Sequence, residues 1–194
     1  IHHYYSHSEL FFDSLSYYGI GEWDYNPITK LIVLPGSRNS IFLFDFDPCD
    51  GKINFNRKLI NNNPQLNYYG LSFSPNGELL YMADYYTSFL YQQDLTQPGN
   101  ILYPVPILKT DTMDINTDPN YGITVAQLQL GPDKRIYFSV TPPGGSILTN
   151  INFGVLGRIK YPDLPYPACE VEPYFFSDSS WAVKLGLPNL PVDP

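Results

Sequence analysis

GLSFSPNGELLYMAD, Gly70–Asp84, packs a strand, a tight turn and a second strand into one short stretch. Leu71 and Phe73 alternate with Gly70, Ser72 and Ser74, the period of two expected of a strand with one apolar face. The turn Ser74-Pro75-Asn76-Gly77 places Pro where φ is preset and Gly where a positive φ is tolerated. Leu79–Asp84 then reads as the returning strand. The unit recurs as AQLQLGPDKRIYFSV at Ala126–Val140 and, more loosely, as GEWDYNPITKLIVLPG at Gly21–Gly36. Pro27 and Pro75 lie 48 residues apart (75 − 27), and Pro75 and Pro132 lie 57 apart (132 − 75). A strand-built repeat of about 40 to 50 residues is the signature of β-propeller blades. Two turns depart from it: Pro27-Ile28-Thr29 and Pro132-Asp133-Lys134 lack the glycine.

Extending outward from each turn predicts four antiparallel strands per blade, labelled A to D from the central channel. The central blade has A at Gly70–Ser74, B at Leu79–Asp84, C at Ser88–Asp94 and D near Tyr103–Lys109. The preceding blade has A near Gly21–Tyr25, B at Leu31–Leu34, C at Ile41–Phe46 and D at Ile53–Leu59. The following blade has A at Ala126–Leu130, B at Ile136–Val140, C near Gly157–Tyr161 and D near Cys169–Phe176. The chain therefore divides into the outer part of an earlier blade (1–18), blades at 19–62, 63–110 and 111–180, and a closing strand with the start of a linker (181–194). That makes about three and a half blades. Closed rings take four to eight, so the chain is expected to be part of a larger propeller whose other blades lie on the same polypeptide or a partner. The competing reading is a small β-sandwich with an accidental repeat.

Composition agrees with an all-β fold. The 194 residues are 43% hydrophobic and 16% aromatic, with 17 Tyr and 12 Phe, but only 15% charged. Aromatic side chains suit a pleated, half-buried surface, and 19 Pro and 14 Gly supply turns. A formal net charge of −8 with 11 scattered Lys and Arg argues against nucleic acid and against attraction to anionic membranes. No apolar run approaches the roughly 20 residues of a membrane-spanning helix. The chain opens at Ile1, consistent with a removed signal peptide or with excision from a longer protein.

Candidate sites follow from the blade layout. His2, His3 and His7 are all the histidines; imidazole binds metals, but no Cys or acid lies at a zinc spacing. Asp111, Asp114 and Asp118 sit in an acidic loop between blades and offer calcium-type oxygen ligands, without an EF-hand spacing. No metal and no cofactor is expected. Tyr17 and Tyr18, Tyr68 and Tyr69, and Tyr121 precede A strands, while Tyr85 and Tyr86 lie between B and C. D–A and B–C connections emerge on one face of a propeller, and neighbouring residues of an extended segment point to opposite sides. Tyr18, Tyr69, Tyr86 and Tyr121 are therefore the candidate ligand-binding rings for a glycan or protein, the bland alternative being packing between blades. Cys49 and Cys169 fall in C–D loops of non-neighbouring blades, too far apart for a disulfide, which needs Cα atoms within about 7 Å; each is expected to be a buried small apolar residue or paired outside this chain. Glu22, Asp84 and Asp94 are acids of the kind propeller enzymes use, but nothing pairs them, and GxSxG, HExxH and phosphate-binding glycine loops are absent.

FDFDPCDGKI (Phe44–Ile53), YGLSFSPNGELLYMAD (Tyr69–Asp84), LYQQDL (Leu90–Leu95), QLQLGPDKRIYFSV (Gln127–Val140), PACEVEP (Pro167–Pro173) and LGLPNL (Leu185–Leu190), in that order, resemble the WD-repeat-like propeller regions of Bacteroidota cell-surface and exported proteins. These often carry a C-terminal type IX secretion sorting domain elsewhere in the polypeptide. The resemblance covers nearly everything beyond Gly19. It implies an extracellular or cell-surface location and no established catalysis. The function expected is thus a noncatalytic binding or spacer module that recognises a protein or glycan through loops on one face. The alternatives are a structural component of a cell-envelope secretion or motility assembly and, more distantly, a glycan-processing enzyme.

Overall fold

A computed structural model describes residues 21–36, 39–84, 89–109, 124–141 and 154–178. The strands are β1 (Asp24–Asn26), β2 (Leu31–Pro35), β3 (Ser40–Asp47), β4 (Lys52–Asn61), β5 (Tyr68–Phe73), β6 (Leu79–Asp84), β7 (Phe89–Asp94), β8 (Ile101–Leu102), β9 (Val105–Lys109), β10 (Thr124–Leu130), β11 (Ile136–Thr141), β12 (Gly154–Ile159) and β13 (Val171–Asp178). They form three sheets in the orders β1-β2-β3-β4-β8, β5-β6-β7-β9 and β10-β11-β12-β13. Every strand pairing is antiparallel except that of β4 with β8, which is parallel. The described residues are all-β, built of sheets of four antiparallel strands as the repeat predicts, with β8 added to the edge of the first.

The central B strand keeps its expected bounds, most others shift by one or two residues at an end, and three change more. The first A strand is β1, Asp24–Asn26, rather than Gly21–Tyr25, because the Glu22 N–H donates to Tyr69 O of the next sheet (2.9 Å) and not to β2. The third C strand begins earlier, at Gly154. The second D strand is split at Tyr103-Pro104: Ile101–Leu102 leaves its own sheet and runs parallel to β4, pairing Ile60 with Ile101 and Asn61 with Leu102. Proline, lacking a donor, breaks the ladder there.

Turns without glycine still form. Lys134 takes φ 62° where Gly77 takes 77°, and Lys30 takes 57°. Gly77 N donates to Ser74 O (2.9 Å) and Lys134 N to Gly131 O (3.0 Å), so the two later turns close alike.

The sheets pack face to face through two apolar seams. Val33, Ile41 and Leu43 of the first sheet meet Leu71, Phe73, Leu80 and Met82 of the second. Leu79, Tyr81, Ala83 and Leu90 of the second meet Val125, Leu128, Ile136 and Phe138 of the third. Strand β6 contributes to both seams, which is why LLYMAD is buried throughout and apolar without alternation. Each fully buried Leu, Ile or Phe side chain contributes about 1.5 to 3 kcal/mol. The opposite face of the first sheet carries a third cluster, Ile32, Phe42 and Phe44.

Candidate functional site

At the innermost strands the polar residues stitch blade to blade. Asp24 and Asn26 share one side of β1, two residues apart. Asp24 Oδ2 accepts the Phe73 N–H (2.8 Å) and Oδ1 accepts the Tyr25 N–H (2.8 Å), with the Ser72 hydroxyl also bonded to the carboxylate. Burial pushes the Asp24 carboxyl above the usual aspartate range, opposed by these three donors. Asn26 Nδ2 donates to Ser74 O (3.0 Å) and Pro75 O (3.2 Å), while its Oδ1 accepts Ile28 N (2.9 Å) and Thr29 N (3.0 Å) and so closes its own turn.

Glu22 lies at the same repeat position as Gly70 and Gln127, offset by the proline spacings. Its side chain is hydrogen-bonded to Gln127 of the third sheet, and burial raises its pKa. The intervening position carries no side chain for a reason: a Cβ on Gly70 would stand 2.8 Å from Leu128 Cδ1 and 3.0 Å from the Ala126 carbonyl carbon, closer still to its oxygen.

The other acids do not converge on this point. Asp84 and Asp94 occupy opposite ends of the second sheet, since β6 pairs Leu79 with Asp94 and β5 pairs Tyr68 with Asp84. Asp84 is buried and accepts the Asn67 N–H (3.2 Å). Asp94 accepts Thr96 N (2.8 Å), Thr96 Oγ1 (2.6 Å) and Gln97 Nε2 (2.9 Å), and these donors hold its carboxyl below the usual range. Among the described residues no group of three or more His, Cys, Asp and Glu could hold a metal ion.

Of the candidate rings, Tyr18, Tyr86 and Tyr121 lie outside the described residues, as do His2, His3, His7, Asp111, Asp114 and Asp118. Tyr69 is half-buried. Its neighbour Tyr68 points into the first seam, where its hydroxyl accepts from Asn61 Nδ2 (3.1 Å); burial raises its pKa beyond the usual tyrosine range. Cys49 and Cys169 are both free thiols. Cys169 is the buried small residue of the two alternatives, whereas Cys49 is exposed, which leaves it the alternative of pairing outside this chain: it sits in the polar β3–β4 turn, its N–H held by Asp47 Oδ1 (2.9 Å).

The sequence reading missed a groove. At the Asp94 end of the second sheet, the β7–β9 connection and the β12–β13 connection enclose a space of about 480 Å³, within the roughly 300 to 1,000 Å³ range of small-ligand sites. Both connections are C–D loops, so the groove opens on the face opposite the one where the tyrosine pairs were expected. Gln92 and Gln93, adjacent on β7, position its two walls. Gln92 Oε1 accepts the Tyr166 N–H (2.8 Å), and its Nε2 donates to Tyr81 Oη (2.7 Å) and Leu164 O (2.9 Å). Gln93 Oε1 accepts the Tyr103 N–H (2.8 Å), and its Nε2 donates to Asp94 O (2.7 Å). Both side-chain amides are thus engaged by the protein. The Tyr103 ring is 71% exposed and that of Tyr166 48%. The available sequence signal was two Tyr and Pro clusters outside the strand periodicity, ILYPVP and YPDLPYP.

No family model matches the chain, and no curated protein matches it. Solved structures do. A Lactobacillus plantarum protein aligns with TM-score 0.50 and 16% identity over 72% of this chain and 37% of its own. A periplasmic gluconolactonase of Pseudomonas aeruginosa aligns at 0.49 and 12% over 82% and 40%. The Cps50 (Swd1) β-propeller domain of Myceliophteria thermophila aligns at 0.44 and 14% over 87% and 45%. The chain thus spans less than half the length of each. The likeness to the Lactobacillus plantarum protein concerns the fold alone, and consecutive sheets of four antiparallel strands make that fold a β-propeller region.

Proposed function

We propose that the chain is a noncatalytic, extracellular or cell-surface binding or spacer module of a bacterial exported protein, recognising a protein or glycan through loops at one end of its blades. The observation that carries this is the groove, where Tyr103 and Tyr166 are presented to solvent by loops whose backbones are pinned on β7. Tyrosines on a rigid support give large contact area at low entropic cost. The innermost carboxylates support the same reading, since Asp24 is held by donors from two strands of the scaffold. The resemblance of the ordered motifs to Bacteroidota exported propellers is what supports a surface location and type IX export. The short span relative to the Lactobacillus plantarum protein supports further blades from the same polypeptide or another chain.

The test is a combined glycan and peptide array probed with the wild-type chain and with Tyr103→Ala/Tyr166→Ala, beside a turnover screen on glycosides and lactones. Saturable capture lost in the double variant, without turnover, is expected. Turnover abolished by Glu22→Gln would overturn the noncatalytic reading.

A second reading, a structural part of an envelope assembly, is favoured by β4. Its two C-terminal residues pair with β8, while Ile53 (51%) and Phe55 (54%) farther along it are exposed. An open edge of this kind invites strand addition. Protection of β4 amides from exchange on assembly would distinguish it.

A further inference from the structure

We propose that the groove between the second and third blades docks an extended peptide segment carrying a Lys or Arg beside an apolar residue. This deepens the binding-module reading and rests on it. Charge selects the occupant. Among the described residues Asp94 is the one charged residue lining the groove, and no Lys or Arg lines it, on a chain of formal net charge −8. Tyr103 and Tyr166 stand on its two sides with exposed rings, and a cation over a Tyr face is attracted by the ring quadrupole. Gln97 aside, the remaining lining, Leu79, Pro98, Ile101, Val105 and Pro165, is apolar, and Ile101 and Val105 are exposed; they fit an aliphatic side chain next to the cation.

A glycan is the competing occupant, and the floor argues against it. A hydroxyl-rich ligand needs free donors and acceptors, whereas Gln92 is bonded to Tyr81, Leu164 and Tyr166 and Gln93 to Asp94 and Tyr103. A guanidinium or ammonium needs only charge and ring faces: Asp94 keeps its negative charge while accepting Thr96 N, Thr96 Oγ1 and Gln97 Nε2, and a carboxylate has about four acceptor sites.

The experiment titrates the whole chain, isotope-labelled, with the capped tripeptide Leu-Arg-Leu, its counterpart Leu-Gln-Leu, and a neutral hexasaccharide, following backbone amide shifts at 25 mM and 250 mM salt. Saturable shifts of Gln93, Asp94, Tyr103 and Tyr166 with the Arg peptide are expected, weakened about five-fold in Tyr103→Ala and by added salt. Equal response to the Gln peptide, no shift at these residues at millimolar Arg peptide, or an unchanged affinity in Tyr103→Ala overturns the proposal. Because the Tyr103 ring is largely exposed, that variant reports recognition rather than folding. Localised shifts with the hexasaccharide and none with the Arg peptide overturn the peptide assignment while leaving the binding-module reading intact.

Discussion

Gly70→Ala adds a single methyl group where the second and third blades approach most closely. The new Cβ would sit 2.8 Å from Leu128 Cδ1 and 3.0 Å from the Ala126 carbonyl carbon, with the carbonyl oxygen nearer still. Leu128 has rotamers to escape into, but the Ala126 carbonyl belongs to β10 and cannot turn away without shifting the strand. Overpacking of this kind costs about 3 kcal/mol at the upper end of its usual range. Replacing Gly by Ala also stiffens the unfolded chain and returns about 0.5 to 1 kcal/mol. The net loss is about 2 kcal/mol, which for a domain of this size lowers Tm by about 4 to 8 °C. Urea denaturation followed by circular dichroism measures it, with the m-value unchanged. Because backbone rather than the leucine limits the space, Leu128→Ala does not rescue Gly70→Ala, and the double-mutant coupling stays below about 0.5 kcal/mol. A Gly70→Ala chain within about 0.5 kcal/mol of wild type would refute the close approach of β5 and β10.

Four further outcomes are expected. Asp24→Ala leaves the Phe73 N–H without its acceptor and lowers stability by about 1 to 3 kcal/mol. Because the folded Asp24 pKa is raised by burial, its charged form is disfavoured in the fold; the wild-type stability advantage over Asp24→Asn is largest below the usual aspartate pKa and declines as pH rises through the folded value, and an advantage that grows with pH would contradict this. Lys134→Gly relieves a φ of 62° at an exposed turn residue and stabilises by about 0.5 to 1 kcal/mol, read as a raised urea midpoint. A thiol reagent modifies Cys49 at once and Cys169 only on denaturation, since Cys169 is buried and its thiol pKa is raised by that burial; equal rates would displace Cys169 from the second seam.

Much of the fold was legible because blades repeat a local pattern. Leu79–Asp84 could be bounded from sequence, since a strand buried on both faces and a Pro-Asn-Gly turn before it are both local signals. The shift at β1 was not legible: whether the Glu22 N–H bonds within its own blade or to Tyr69 of the next is a tertiary choice that a period of two does not encode. Tyr68 illustrates the same limit. As one of an adjacent pair it could have faced either way, and its hydroxyl found Asn61 in the interior. The groove escaped notice because its rings sit in loops without periodicity, held by two glutamines of β7 that bond the Tyr103 and Tyr166 N–H groups across separate connections. Glu22, Asp84 and Asp94 could be singled out as acids from sequence, but their partners, Gln127, the Asn67 N–H and the Thr96–Gln97 donors, are set by tertiary structure and local turns.

A propeller requires consecutive blades to turn about one axis. Spin labels at Ile28, Glu78 and Lys134, one near the tip of each A–B turn, in pairwise combinations on a Cys49→Ser chain, measure that directly by pulsed electron resonance. Three blades about an axis give nearly equal 28–78 and 78–134 distances, with 28–134 longer than either yet shorter than their sum. A 28–134 distance shorter than the other two, or equal to their sum, would contradict the propeller arrangement.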